Sequence, residues 1–145
     1  MKCEIYPLNS LKEYKYVVIF SIYQGRLLLS RHKQRITWET QGGHIEPLES
    51  PYTAAGRELQ EESGAEVFHL APLCDYYAED ETSHANGMVF TARIEKLGPI
   101  PESEMAETAL FETLPEQLTY PGITPVLYRF LKECSGAQSS RKNVI

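Results

Sequence analysis

Three glutamates, Glu58, Glu61 and Glu62, recur in the run Arg57-Glu58-Leu59-Gln60-Glu61-Glu62-Ser63-Gly64. At about 100° per residue on a helix they fall within roughly a 100° arc. Like charges at that spacing repel by a few tenths of a kcal/mol per pair, so a positive partner belongs on that face. A hard divalent cation, magnesium with manganese as a substitute, takes carboxylate oxygens and bridges to phosphate. The chemistry to expect is attack on a phosphate anhydride. Bound cations neutralise the anionic oxygens, lower the pKa of a bound water and hold attacker and leaving group in line.

The residues around the glutamates specify the helix that must carry them. Ser50 is a good N-cap, Pro51 suits the first helical position where a missing N–H costs nothing, and Gly64 supplies a left-handed end. Tyr52, Ala55, Gly56 and Leu59 share a neighbouring arc and predict the face that lies on a core. Upstream, Gly42 and Gly43 open the stretch and Glu49 stands alone before the helix.

Taken together, Gly43, Glu49, Arg57, Glu58, Leu59, Glu61, Glu62 and Gly64 resemble the Nudix box, G-x5-E-x7-R-E-U-x-E-E-x-G-U with U aliphatic, without a gap. Only Ala65 is smaller than usual. The alternative for such a stretch is an acidic, solvated surface helix, which does not account for the glycines and caps at both ends. The resemblance implies an α/β (α+β) fold, the Nudix α/β/α sandwich with a mixed β-sheet and a loop-helix-loop. It also implies that Glu61 and Glu62 are metal ligands, that Glu58 is a ligand or the residue that deprotonates water, and that Glu58 and Glu61 are both candidates for the base. Gly42 is expected to offer a backbone carbonyl to the metal. Arg57, grouped with the catalytic residues, and Glu49 are expected to form a supporting ion pair beside Gly43. A later loop often adds a glutamate; Glu104 is the first choice, then Glu107, then Glu102. Many family members carry an aromatic, an acid, an aliphatic residue and proline before the two glycines; this chain has Thr40-Gln41 in the last two of those places.

The 145 residues suit one domain with a real core. That domain is expected over 1–134, with a flexible tail over 135–145. A hydrophobic content of 42% and a charged content of 23% are ordinary for a soluble protein. The net charge of −6 argues against a broad nucleic-acid or anionic-membrane surface, so the expected partner is a small nucleotide, with no stable nucleic-acid binding. Cys3, Cys74 and Cys134 fit neither a zinc pattern nor a disulfide framework, which points to a reducing cytoplasm. No apolar run is long enough to span a bilayer and the start is no signal peptide.

Residues 16–23 are β-branched and aromatic and predict a central strand; Gln24-Gly25 predicts a tight turn and residues 26–30 a returning strand. Arg31, His32, Lys33 and Arg35 form the dense basic cluster. It reads as a solvated loop or, in the cases of Arg31, Lys33 and Arg35, as cations for the substrate's phosphates. Residues 36–40 are expected to be a short strand leading to the glycines. Strands are expected again over 67–70, 73–77, 88–94 and 108–114, with a turn at Asn86-Gly87. A closing helix is expected over 123–133 with Val126, Leu127, Phe130 and Leu131 on one side.

Subfamily marks narrow the substrate by their absence. The proline that marks the ADP-ribose type is missing around Asp80-Glu81-Thr82, Tyr76 and Tyr77 come too early for the dinucleoside-polyphosphate type, and the serine-glutamine-proline-tryptophan run of the NADH type is not present. The expectation that remains is a MutT-like hydrolase releasing pyrophosphate from a nucleoside triphosphate, with 8-oxo-dGTP and unmodified nucleotides both open. Tyr6, Tyr23, Tyr76, Tyr77 and Phe90 are candidates for stacking on a base, with Tyr77 carried as the substrate-binding choice. An RNA 5′-end pyrophosphohydrolase, another nucleoside-diphosphate-X hydrolase and a catalytically silent nucleotide sensor stand as alternatives.

Overall fold

The computed structural model describes residues 1–143, with side chains described through Ser135. The order of elements is β1 (Lys2–Tyr6), β2 (Tyr14–Tyr23), β3 (Arg26–His32), β4 (Gln41–His44), α1 (Pro51–Ser63), β5 (Ala65–Glu79), β6 (His84–Leu97), β7 (Met105–Phe111) and α2 (Thr124–Asn143). The strands form one mixed sheet in the order β1-β5-β6-β2-β3-β7. β2 and β6 are parallel over most of their length and the other pairings are antiparallel. β2 forks: Tyr16 to Ile19 pair with β4, while Ser21 to Tyr23 pair with β3.

Alternation along β2 sends side chains to both faces of the sheet, and both are covered. Val17 and Ile19 pack with Leu28, Phe90, Ile94 and the Ala54, Ala55 and Leu59 face of α1. Phe20 packs with Leu29, Tyr76, Val89 and Leu127 of α2. The expected α/β/α arrangement is therefore present: α1 lies on one face and α2 on the other, with the loop before α1 crossing the sheet end where β4 joins β2.

Several local expectations need correction. Residues 36–40 are not a strand. Trp38 and Glu39 make only single bridges, to Leu118 and Ser30, and the strand is Gln41–His44. The reason is close approach: a Cβ on Gly42 would stand 2.2 Å from the Val17 carbonyl oxygen, so the glycines themselves are the residues that can sit against β2. Asn86-Gly87 lies inside β6. Gly87 is there because the Tyr76 ring covers it, and an added Cβ would meet Cε1 at 2.3 Å. The turn falls earlier, where Asp80 N–H donates to the Ser83 carbonyl at 2.9 Å and Asp80 Oδ1 accepts from the N–H groups of Thr82 and Ser83. β5 is one continuous strand, irregular at Pro72, and β7 begins three residues before the expected Thr108. β1 has no counterpart among the expectations. On α2, Val126 points outward at 37% exposure while Leu127, Phe130 and Leu131, with Ile123 just before the helix, face the core. Of the flexible tail expected over 135–145, only Ser135 has a described side chain; the backbone continues α2 to Asn143, and residues 144–145 lie outside the described residues.

Candidate active site

The site is assembled on α1, and the caps of that helix form as the sequence predicts. Ser50 Oγ accepts from Thr53 N–H at 3.1 Å, and Gly64, at φ 83°, donates its N–H to the Gln60 carbonyl at 3.0 Å. Arg57 ties the preceding loop to the helix. Its Nε and Nη2 reach the two Glu49 carboxylate oxygens at 2.8 and 2.9 Å, and Nη2 also donates to the His44 carbonyl at 3.1 Å. This two-pronged pairing, with a further bond from the Glu46 N–H, holds the Glu49 carboxyl down at about 2. Arg57 Nη1 meets Glu58 Oε1 at 2.8 Å and stands 3.6 Å from Glu61 Oε2.

Glu58 and Glu62 turn toward the paired glycines. Glu58 lies where a side chain on Gly43 would be, since a Cβ there would come within 2.7 Å of Glu58 Oε1. Its pKa is raised by burial, opposed by Arg57. Glu62 Oε1 accepts from Gly42 N–H at 2.8 Å, and the Glu62 carbonyl accepts from Ser30 Oγ at 2.8 Å. Burial pushes the Glu62 carboxyl up to about 8; the Gly42 N–H works against that, and the charges of Glu58, Glu39 and Glu61 add to it. A second network fixes β4. The buried Gln41 accepts from Ser21 Oγ at 2.7 Å and donates to Ser30 Oγ at 2.9 Å and to the Leu28 carbonyl at 3.2 Å. Gln41, in the place where proline is common, thus anchors the strand by side-chain hydrogen bonds.

Among the described residues no three His, Cys, Asp or Glu side chains close into a metal cage. The donor set still fits a divalent ion that keeps much of its water, as magnesium does when it binds through one or two carboxylates and substrate phosphates. Glu62 is a largely buried carboxylate whose side chain has one hydrogen-bond donor, Gly42 N–H, among the described residues, and it is surrounded by like charge.

The other expected residues are placed differently. Arg31, Lys33 and Arg35 are each paired with an acid: Glu107 at 2.9 Å, Glu102 at 3.2 Å and Glu39 at 3.1 Å. Glu104 is 84% exposed at its side chain and faces His32 Nε2 at 3.7 Å. Among the described residues no ion pair or hydrogen bond joins Glu104 to the glutamates of α1. Beside Gly42 and Gly43 opens a cavity of about 440 Å³, lined also by Tyr16, Glu39, His44, Tyr76 and Tyr120. The Tyr16 and His44 rings meet tilted at 52°, with centroids 4.5 Å apart. Tyr77 is not part of this lining. It points to the other face of β5, its hydroxyl on Glu79 at 2.8 Å, and its neighbour Tyr76 takes the place expected for it. Tyr16, Glu39, His44 and Tyr120 were missed from sequence. Glu39 carried a usable signal, an acid just upstream of the glycine pair.

Residues 14–136 match the family model of the NUDIX domain, and the chain belongs to the Nudix family, hydrolases that act on phosphoric anhydride bonds. Members of this family generally use divalent metal ions. A relative from Bacillus subtilis strain 168, named "Putative 8-oxo-dGTP diphosphatase YtkD", is 35% identical over 108 residues, covering 72% of this chain and 66% of its own length. The structure is similar to that of a mutant of the Bacillus subtilis pyrophosphohydrolase BsRppH, with a TM-score of 0.78, 28% identity and coverage of 93% of this chain and 90% of that one. The MutT Nudix hydrolase of Burkholderia pseudomallei shares the fold, with a TM-score of 0.61, 23% identity and coverage of 75% and 92%. Among the described residues no helix is long and apolar enough to cross a membrane.

Proposed function

We propose that this chain is a metal-dependent pyrophosphohydrolase of the MutT type, hydrolysing a nucleoside triphosphate to the monophosphate and pyrophosphate. The observation that carries the reading is the shared position of Gly42 and Gly43. On one side they receive the carboxylates of Glu62 and Glu58, and on the other they line an aromatic cavity of a size suited to a nucleoside. Glu61 and Glu62, with the Gly42 carbonyl, hold the divalent ion, magnesium or in its place manganese. When bound, that ion neutralises phosphate oxygens and acidifies water. Glu58 or Glu61 takes the proton from the attacking water. Arg57 and Glu49 keep loop and helix in register, and Gly43 leaves room for the Glu58 carboxylate.

Glu104 is the extra ligand only if it leaves His32, and Arg31, Lys33 and Arg35 meet substrate phosphates only by exchanging their present acidic partners. Residues 1–134 act as one catalytic domain. The three cysteines, all free, support a cytoplasmic setting. The test is phosphate release with magnesium from normal and oxidised nucleoside triphosphates, ADP-ribose, dinucleoside polyphosphates and a triphosphorylated RNA, with and without added pyrophosphatase. Phosphate that appears only with pyrophosphatase supports the reading. Tight nucleotide binding without turnover replaces it with a sensor.

A further inference from the structure

Between the cavity and the glutamates of α1 runs the short strand β4, and a nucleotide that uses both must lay its phosphates across it. Positive charge is needed at that crossing, because Glu58, Glu61 and Glu62 stand at one end of the path and Glu39 lines the other. The basic cluster does not supply it: Arg31, Lys33 and Arg35 hold Glu107, Glu102 and Glu39, and none of the three lines the cavity. Lys15 does line it, as the one lysine or arginine among the described residues there. The acids that share the lining are taken elsewhere, Glu39 by Arg35 and Thr119, Glu79 by the Tyr77 hydroxyl and Asp80 by the N–H groups of Thr82 and Ser83. Among the described residues the lysines that pair with acids are Lys2, Lys33 and Lys96. An exposed lysine needs no partner in water, so the signal lies in the backbone that places it. The pairing of β2 with β6 passes from Tyr14 and Asn86 to Tyr16 and Gly87, which leaves Lys15 as the extra residue of a bulge. On the opposite edge its carbonyl accepts from Ile45 N–H at 2.8 Å. Next to Ile45, the His44 carbonyl accepts from Arg57 Nη2, and the same guanidinium holds Glu49 and Glu58. Lys15 is thereby fixed beside the exit of β4 toward α1, at the kind of irregularity that re-aims a side chain next to a site.

Resting on the hydrolase reading above, we propose that Lys15 holds the α-phosphate of the substrate at the rim of the cavity. The order of groups along a nucleotide decides which phosphate this is. Base and sugar occupy the cavity, and the ion on Glu61 and Glu62 takes the anhydride to be cleaved. The phosphate between them is the one attached to the sugar, and it stays on the monophosphate when pyrophosphate leaves. A lysine ammonium, a compact charge with three donors on a flexible stem, suits an oxyanion that must be held in both substrate and product. A contact made equally in the ground and transition states acts on KM rather than on kcat.

The test takes whichever of GTP, ATP, CTP and UTP the wild type turns over fastest with magnesium, and compares wild type, Lys15→Gln, Lys15→Arg and Lys12→Gln. Lys12 is exposed and lies outside the cavity lining, so its loss controls for net charge. Lys15→Gln should raise KM about tenfold, the order of one charge-assisted hydrogen bond, with kcat within roughly threefold of wild type. Calorimetric binding of the matching monophosphate should weaken by the same factor, inhibition by pyrophosphate should stay as it was, and Lys15→Arg should restore most of the affinity. A loss in Lys15→Gln no larger than that in Lys12→Gln overturns the proposal and leaves the hydrolase reading intact. So does weaker pyrophosphate inhibition with unchanged monophosphate binding, which moves Lys15 to the far phosphates. An equal weakening toward the unphosphorylated nucleoside also overturns it, by making Lys15 part of the cavity wall. If no triphosphate is turned over, binding of the four monophosphates decides: affinity that falls in Lys15→Gln removes the hydrolase reading and keeps this assignment, and affinity indifferent to Lys15 removes both.

Discussion

Glu62 sits under opposing demands. Its carboxyl is raised to about 8, against 4.5 for the free group, by burial and neighbouring acids, with one backbone N–H holding it back. A folded-state pKa above the unfolded one means that the folded chain holds the extra proton. This contribution to stability is fully present below about pH 4.5 and is lost as pH rises through about 8. In thermal melts without metal, the wild type should lose stability over that window faster than Glu62→Gln, and magnesium should flatten the wild-type trend. In activity assays Glu62→Gln and Glu61→Gln should each lower kcat by a hundredfold or more while the far-ultraviolet spectrum stays native, because metal ligation rather than packing is removed. Near-normal turnover in either would move the metal elsewhere. For the loop glutamates, Glu104→Gln should reduce kcat more than Glu107→Gln does; the reverse order would make Glu107, now 2.9 Å from Arg31, the residue that moves to the ion.

At the scale of elements, α1 is held at both ends by features its sequence announces, and each end can be tested. Ser50→Ala should cost about 1 kcal/mol in denaturant unfolding, the usual worth of an N-cap. Gly64→Ala should cost more. It forces a Cβ into a left-handed position at φ 83° and within 2.5 Å of the Pro99 carbonyl oxygen, which is backbone and cannot swing aside. Helix and caps were legible because their signals are local: a capping serine, a proline, a terminal glycine and a 3.6-residue period. Strand limits were not, because tertiary partners set them. Residues 36–40 have the composition of a strand but find only single bridges, whereas Gln41–His44, poor in β-formers, is recruited by the open edge of β2. Asn86-Gly87 has the letters of a turn, yet the glycine serves the Tyr76 ring on the next strand. The glutamates proposed to hold the metal were readable for the same local reason as α1. The cavity was not, since Tyr16, Glu39 and Tyr120 come from three distant segments.

For the whole molecule, charge is the property that decides between substrates of different size. The net charge is −6, and Arg31, Lys33 and Arg35, the dense basic cluster, are each offset by an acid, so among the described residues this cluster offers no extended cationic track for a phosphate backbone. The kcat/KM for a mononucleotide should therefore change by less than threefold between 50 and 200 mM salt, at about the level of simple screening. A fall of a hundredfold or more with a triphosphorylated RNA would reveal many phosphate contacts along the strand. The sheet order has a different consequence, one that concerns time. β1 leaves the ribosome long before β5, its neighbour in the sheet, and β2 precedes its parallel partner β6 by a similar stretch. Until residues near Glu79 and Leu97 have been made, β1 has no sheet partner and β2, paired with β3 and β4, keeps its β6 edge exposed, a state open to wrong pairings. The Gln24-Gly25 hairpin of β2 and β3, local and quickly formed, is the natural place for the nascent chain to wait.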